Sequence, residues 1–359
     1  MKLKKITLRG YKSILTLENF ELRNLNVLIG ANGAGKSNLI SVFRLLAALA
    51  DGNLQEYVQK RGGPDALLHG GRKRTSKMDL EFYFGVNGYL VTLVPTVDNR
   101  LIFRREQTWF NGDYRTYTEN LGSSHDEAKL RNSYTNVSNY VRPALKTWRV
   151  YHFHDTSDDA KVKQPHAKND NLLLKQDASN LAACIADIYK KFPRYYTRIV
   201  DTIRLAAPFF GDFVIRDPLP DIVELEWTEQ GDPDTPRRAH LLSDGTLRFI
   251  CLTTLLLQPR HKVGDMVIID EPELGLHPYA INLLAEMIRE VAETHQVFVS
   301  TQSVELLNAF VPEDVVIVEL HNGASTFSRL NQEGLDEWLQ EYTLGELWKR
   351  NILGGRPTR

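Results

Sequence analysis

Asn26-Val27-Leu28-Ile29 runs straight into Gly30-Ala31-Asn32-Gly33-Ala34-Gly35-Lys36-Ser37, and this junction decides the fold. The octapeptide matches G-x-x-x-x-G-K-[ST] with no departure. Its glycines let the backbone curl so that successive N–H groups point at one anion. Lys36 is placed to reach the outer phosphates of a bound nucleotide, and Ser37 to ligate Mg²⁺. A chance glycine turn is the competing reading, and the flanks argue against it. An apolar strand precedes the turn, and Ser37–Ala50 follows with Leu39, Val42, Leu45, Leu46 and Leu49 at helical spacing. The helix adds its positive N-terminal end to the anion site.

The rest of the composition narrows the class. The chain has 359 residues, 25% charged and 42% hydrophobic, as expected of a globular protein and not of a disordered or fibrous one. Its 44 basic residues nearly cancel 45 acidic ones, so no global positive field draws it to nucleic acid or membrane. Cys184 and Cys251 are its only cysteines, which excludes a disulfide framework or a four-cysteine zinc site. Both sit in apolar helical stretches and read as packing. The opening Met1–Ser13 lacks the apolar core of a secretory signal, and the apolar run Phe249–Leu257 is too short to span a bilayer. A reducing, cytoplasmic setting is the expectation.

The pattern along the chain is strand, turn, strand at Lys2–Arg9 and Leu15–Leu22, then the strand–loop–helix unit. Residues 54–238 read as an insertion, with strands at Leu80–Phe84, Tyr89–Val94 and Leu101–Arg105 and a turn at Asn111-Gly112. A strand at Trp148–Phe153 and a loop over Asp155–Asp170 follow. Then come helices at Leu181–Phe192 and Tyr195–Ala206, strands at Phe213–Ile215 and Ile222–Trp227, and a turn at Gly231–Pro236. Residues 239–359 return to α/β alternation: helix Gly245–Leu257, strand Met266–Ile269, helix Tyr279–Glu293, strand Val297–Val299, helix Val304–Phe310 and strand Val315–Glu319. Buried strands alternating with helices predict a largely parallel sheet with covered faces.

Two further motifs carry chemistry. Met266–Ile269 is an apolar strand that ends in Asp270-Glu271-Pro272. Asp270 is placed to share the Mg²⁺ shell with Ser37, and Glu271 to polarise a water for attack on a γ-phosphate. A buried strand ending in a solvated turn is the plain alternative, and the upstream phosphate loop weakens it. Leu242-Ser243-Asp244-Gly245-Thr246 precedes an apolar helix. Ser243 reads either as a helix N-cap or as an anion donor backed by the helix terminus.

In order and spacing, these motifs resemble the full series of ABC-type ATPases. Leu242–Thr246 resembles the LSGGQ-type signature, with Asp244 and Thr246 as departures of the kind found in the SMC/RecF-like branch. Glu273–Pro278 resembles a D-loop, and Ser300-Thr301-Gln302-Ser303 the switch region. The long separation of Gly30 from Ser243 sets the chain apart from transporter heads. It is closer to SMC/RecF-like heads and to the OLD-like, Septu-like and PARIS-like ATPases of bacterial defence systems, as is Gly10-Tyr11-Lys12-Ser13-Ile14. The resemblance covers about the first 50 residues and everything after Leu241.

It implies an α/β fold: a single ABC-type P-loop ATPase head over 1–359, with a mixed, largely parallel core sheet and a β-rich and helical lobe inserted at 54–238. It also implies a head-to-tail dimer or higher oligomer gated by ATP and Mg²⁺. Gly30, Asn32, Gly33, Ala34, Gly35, Lys36, Ser37 and Asn38 would hold the nucleotide, and Ser37 and Asp270 the metal. Glu271 and Gln302 would act in hydrolysis, and Ser243, Asp244 and Gly245 would reach in from the partner. Gln302 stands where ABC-type enzymes usually carry His; it still hydrogen-bonds but cannot become cationic, so slow turnover is expected.

The function expected by resemblance is anti-phage defence with a separate nuclease or toxin subunit, since no nuclease constellation follows the ATPase motifs. The alternative is a RecF-like repair ATPase that binds DNA directly. Arg72-Lys73-Arg74 with Lys77 would then meet phosphates, against the plainer reading of a solvated loop. His152 and His154 fall on one face if their segment is a strand, which leaves a metal pair, a nucleotide sensor or packing open. Leu347 and Trp348 are expected to dock on the core or on a partner.

Overall fold

A computed structural model describes residues 2–355; Met1 and residues 356–359, the two ends of the expected 1–359 head, lie outside the described residues. The chain forms two compact units, residues 1–149 with 312–359, and residues 150–311.

The first unit opens with β1 (Lys5–Tyr11) and β2 (Ile14–Glu21), paired antiparallel, then β3 (Leu25–Ile29). Every residue of β3 is buried, so it reads as a continuous apolar run and not as an alternation. Helix α1 (Lys36–Asp51) follows, stopped by Gly52 in the left-handed conformation. Helix α2 (Leu54–Lys60) leads to a long antiparallel run: β4 (Met78–Phe84), β5 (Asn87–Pro95), β6 (Leu101–Gly112) and β7 (Arg115–Gly122). With β1 and β2 these make one sheet of order β2-β1-β4-β5-β6-β7. Helix α3 (Asn136–Thr147), capped by Thr135, buries Val137, Val141, Ala144 and Leu145. Trp148 is almost fully buried, edge-on to Phe43 at 5.6 Å.

After β8 (Arg149–Tyr151), the second unit contains the short β9 (His166–Ala167), then helices α4 (Leu181–Lys191) and α5 (Pro193–Ala206). Next come β10 (Phe210–Phe213), β11 (Ile222–Val223), β12 (Glu226–Glu229) and β13 (Asp232–Arg238). The closing part of this unit is α6 (Asp244–Leu257), β14 (Met266–Asp270), α7 (Pro278–Thr294), β15 (Gln296–Thr301) and the one-turn α8 (Val304–Leu307). Strands β14 and β15 run parallel, with Asp270 opposite Ser300.

The chain returns to the first unit with β16 (Val315–His321), parallel to β3, and β17 (Ala324–Arg329), antiparallel to β16. Helices α9 (Asp336–Glu341) and α10 (Leu344–Lys349) follow. Leu347 is fully buried. The mixed α/β architecture, with parallel strands at both motif-bearing tips, is that of an ABC-type P-loop ATPase.

Several elements differ from the sequence expectation. Gly231–Pro236 is not only a turn: Asp232–Arg238 is the strand β13, paired with β12 although most of its side chains face solvent. The strand expected over Trp148–Phe153 is confined to Arg149–Tyr151, because the His152 amide donates to the Gln176 carbonyl and leaves the strand path. The helix expected over Val304–Phe310 is regular only to Leu307, beyond which i→i+3 bonds tighten it.

Candidate functional site

In the first unit, the tip of β3 turns through Gly30–Gly35 into α1. Gly33 and Gly35 have φ of 79° and 117°, a region glycine enters without cost. Gly35 is required on a second count. A Cβ there would lie 2.1 Å from Ser325 Oγ and 2.8 Å from Ser13 Oγ. Those hydroxyls brace the loop. Ser325 Oγ contacts the Ala34 carbonyl at 2.5 Å and Ser13 Oγ at 2.6 Å, while Asn38 Nδ2 donates to Ser13 Oγ at 2.7 Å. Lys36 is buried and donates to the Gly30 and Ala31 carbonyls at 2.7 and 3.1 Å. Asn32, Gly33 and Ser37 are exposed, so the Ser37 hydroxyl is accessible to a ligand.

The bracing residues come from far away in sequence. Ser13 lies in the turn between β1 and β2, and Ser325 is the second residue of β17. The sequence marked Ser13 only as part of Gly10–Ile14, and Ser325 carried no signal. Its place depends on the β16–β17 register, which sets His321 opposite Ala324. Beside the loop, Lys12 donates to Ser41 Oγ at 3.0 Å. Burial, with Arg61 and Arg44 nearby, lowers its ammonium to about 8.

In the second unit, the tips of β14 and β15 gather the acidic motif and the switch segment. Asp270 accepts a hydrogen bond from Ser300 Oγ, its parallel neighbour. Glu271 has a left-handed backbone, φ 45°, uncommon for a residue with a side chain. It is held there because its N–H donates to the Ser300 carbonyl at 2.9 Å. Its carboxylate accepts a hydrogen bond from Gln302 Nε2. Glu273 accepts from Thr301 Oγ1 at 2.6 Å and from the Gln302 N–H at 3.1 Å. Burial raises the Glu273 carboxyl above its ordinary range, against the pull of those two donors. Asp270, Glu271 and Gln302, each named from the sequence as a site residue, thus lie at adjoining strand tips, whereas Glu273 and Ser300 were named only as members of the D-loop and switch segments and given no role. The spacing of Glu273 from Glu271 was the available signal for one of them.

The histidine segment joins the same cluster. His154 Nε2 lies 2.9 Å from the Asp270 carbonyl, and the rings of His152 and His154 are 4.0 Å apart. Among the described residues no group of three or more His, Cys, Asp or Glu is arranged to hold a metal ion. Arg248, on α6, donates to the His154 carbonyl at 2.9 Å and to the Leu274 carbonyl at 2.8 Å. The helix carrying Ser243 is thereby tied to the segment after Glu273.

Ser243 caps α6, accepting from the Thr246 N–H at 3.3 Å, and Ser243 and Asp244 are exposed. Gly245 is dictated by close approach: a Cβ would lie 2.4 Å from the Gly275 carbonyl. A recess of about 140 Å³ between the two segments is lined by Ser243, Gly245, Thr246, Gly275 and His277, among others.

Other expected features have structural partners. Arg72 is engaged by Asp65 Oδ2 at 3.0 Å, by the Thr96 carbonyl at 3.2 Å and by Asn99, and Lys77 pairs with Asp79 at 2.7 Å. That loop is pinned by its own cations. Cys184 and Cys251 are buried, and burial pushes both thiols up to about 12. Among the described residues no helix is long and apolar enough to cross a membrane.

A strand-tip phosphate loop and a paired-carboxylate strand tip, on this architecture, give the fold of an ABC-type P-loop ATPase. The chain belongs to the family described as "AAA domain, putative AbiEii toxin, Type IV TA system", which matches residues 25–308. Among solved structures it is similar to an SMC head bound to the C-winged helix domain of ScpA: 16% identity, TM-score 0.60, covering 93% of this chain and 99% of that one. It is also similar to the Smc head domain with an extended coiled coil bound to the C-terminal domain of ScpA, from Pyrococcus furiosus. That match has 14% identity and a TM-score of 0.58, covering 94% and 98% of the two chains. At these identities the likeness is one of fold. Among curated proteins none matches the chain.

Proposed function

We propose that the chain binds and hydrolyses ATP as a nucleotide-gated, head-to-tail homodimer. The observation that carries this reading is the hydrogen bond between Gln302 and Glu271 at the tip of β14. It unites a general base with a group able to orient the attacking water.

In this account the loop from Gly30 to Asn38 receives the triphosphate, its N–H groups and Lys36 meeting the anionic oxygens. The Ser37 hydroxyl and the Asp270 carboxylate each offer oxygen, the donor type that suits a hard cation such as Mg²⁺, and both would be called on to hold it. That ion would neutralise charge building on the phosphates. Glu271 accepts the proton of the attacking water, and Gln302 holds the Glu271 carboxylate in place. Gln302 remains neutral throughout, so it adds no positive charge to the transition state and turnover is slow.

Ser243, Asp244 and Gly245 act from the partner. Their exposure and the helix N-terminus behind them suit an anion presented by another chain. ATP then joins two heads and hydrolysis releases them, a two-state element biased by the γ-phosphate. The biological role that fits is cytoplasmic defence against phage, with a separate nuclease or toxin subunit released or activated by the cycle.

The test is Glu271→Gln. The variant is expected to lose about a hundredfold or more in kcat while retaining ATP, and to elute as a stable dimer with ATP and Mg²⁺ but not with ADP. A variant that stays monomeric with ATP, or a wild type that neither binds nor turns over ATP, contradicts the proposal.

A further inference from the structure

We infer that Glu273 is a positioning residue for hydrolysis: it fixes the backbone that carries Gln302 and thereby aims Gln302 at Glu271. This rests on the ATPase reading given above. The family motifs assign Glu273 only a place in the segment after the catalytic pair.

The geometry is convergent. A single oxygen, Glu273 Oε1, accepts both the Thr301 hydroxyl at 2.6 Å and the Gln302 N–H at 3.1 Å. Thr301 Oγ1 in turn accepts the Ser303 N–H at 2.9 Å, and Ser303 Oγ caps the first turn of α8 at Leu306 N, 3.1 Å away. The three residues that leave β15 are therefore anchored at consecutive points, with Glu273 as the outermost anchor. Among the described residues the Gln302 side chain is restrained by its hydrogen bond to Glu271. If the Gln302 backbone were released, the long side chain would sample other rotamers, and the base would lose its neighbour.

A structural carboxylate at such a place has a cost. Glu273 Oε2 is sealed from solvent with no hydrogen-bond partner among the described residues. Burying an unmatched polar atom opposes folding. Thr301 is fully buried, so an apolar pair at 273 and 301 would avoid that cost, yet it would leave the Gln302 N–H without its acceptor.

The experiment uses the full chain and four variants: E273A, E273Q, Q302A and the double variant E273A/Q302A. Two quantities are read, steady-state kcat with ATP affinity, and amide hydrogen exchange over residues 301–303. E273A is expected to lower kcat about tenfold to hundredfold, with ATP affinity changed less than twofold. E273Q keeps an oxygen acceptor at the same place and is expected to retain kcat within about threefold. The double variant is expected to be no slower than Q302A alone, since both changes remove one function. Exchange at the Gln302 amide is expected to accelerate in E273A and to return to the wild-type rate in E273Q.

Additive losses in the double variant, an E273Q as impaired as E273A, or unchanged exchange in E273A would overturn the inference. Exchange is read without turnover, so a wild type lacking ATPase activity would sink the functional proposal while the anchoring of Gln302 is still decided. Should E273A not fold, T301V removes one of the two donors. It is expected to speed exchange at Gln302 and lower kcat about threefold to tenfold, and no change in either would contradict the role.

Discussion

The loop after β3 and the turn after β14 are the two strand tips to which we assign the phosphate chemistry, and they are built by opposite means. The loop is made of backbone. Its glycines supply the curl, its N–H groups supply the donors, and two serines brace it from outside. The turn is made of side chains. Asp270, Glu271 and Glu273 are each held by a hydroxyl, an amide or an N–H from the adjoining β15 segment. A backbone device needs a fixed local spacing, so its donors all fall within eight residues and only its braces come from elsewhere. A side-chain device needs partners, and those arrive about thirty residues later through the parallel register of β14 with β15.

The contrast predicts different kinds of damage. Gly35→Ala strikes the backbone device, and its Cβ would overlap both bracing hydroxyls. The expected result is a loss of about 2–3 kcal/mol in unfolding free energy, with ATP binding weakened about tenfold or more. Chemical denaturation and nucleotide titration measure these two effects together. Ser300→Ala strikes the side-chain device. Ser300 is fully buried, and its loss removes one hydrogen bond from Asp270. Its expected effect is a fall of about threefold to tenfold in kcat, with nucleotide-free stability changed by about 1 kcal/mol. If Gly35→Ala lowered kcat alone, or Ser300→Ala lowered stability alone, the distinction between the two tips would fail.

The smallest effect expected is a pH dependence beside the loop. Burial and neighbouring arginines lower Lys12 from 10.5 to about 8, so the unfolded chain binds more protons than the folded one between those values. Stability contributed by this residue therefore rises as pH increases from about 8 towards 10.5, and it is lowest below 8. Lys12→Met is expected to raise the melting temperature at pH 7 and to flatten this part of the stability–pH profile. An unchanged profile would show that Lys12 is charged in the folded protein across the whole range.

How much of this could be read in the sequence follows from the same contrast. The phosphate loop, the apolar β3 and the acidic end of β14 are written in local spacing and burial, so the fold class was legible from them. The braces were not. Ser13 and Ser325 meet only because β17 folds back along β16, and no pattern in either stretch announces it. Strands β7 and β13 gave no alternation, because most of their side chains face solvent on both sides. Helix α3 carries Pro143 inside it, which masks a periodic buried stripe. His154 read as an open question. Its ring nitrogen meets the Asp270 carbonyl, a contact between residues far apart in the chain that only the folded unit supplies.

The central claim is that each chain completes the other's site, and mixing two inactive variants tests it most directly. Lys36→Ala disables the loop, and Ser243→Arg disables the signature segment. Each variant alone is expected to be inactive. In an equal mixture, half of the dimers combine the two chains, and each mixed dimer has one site with both parts intact. ATPase activity should then recover to roughly a quarter of the wild-type rate. A mixture no more active than the two variants measured separately would contradict the shared site.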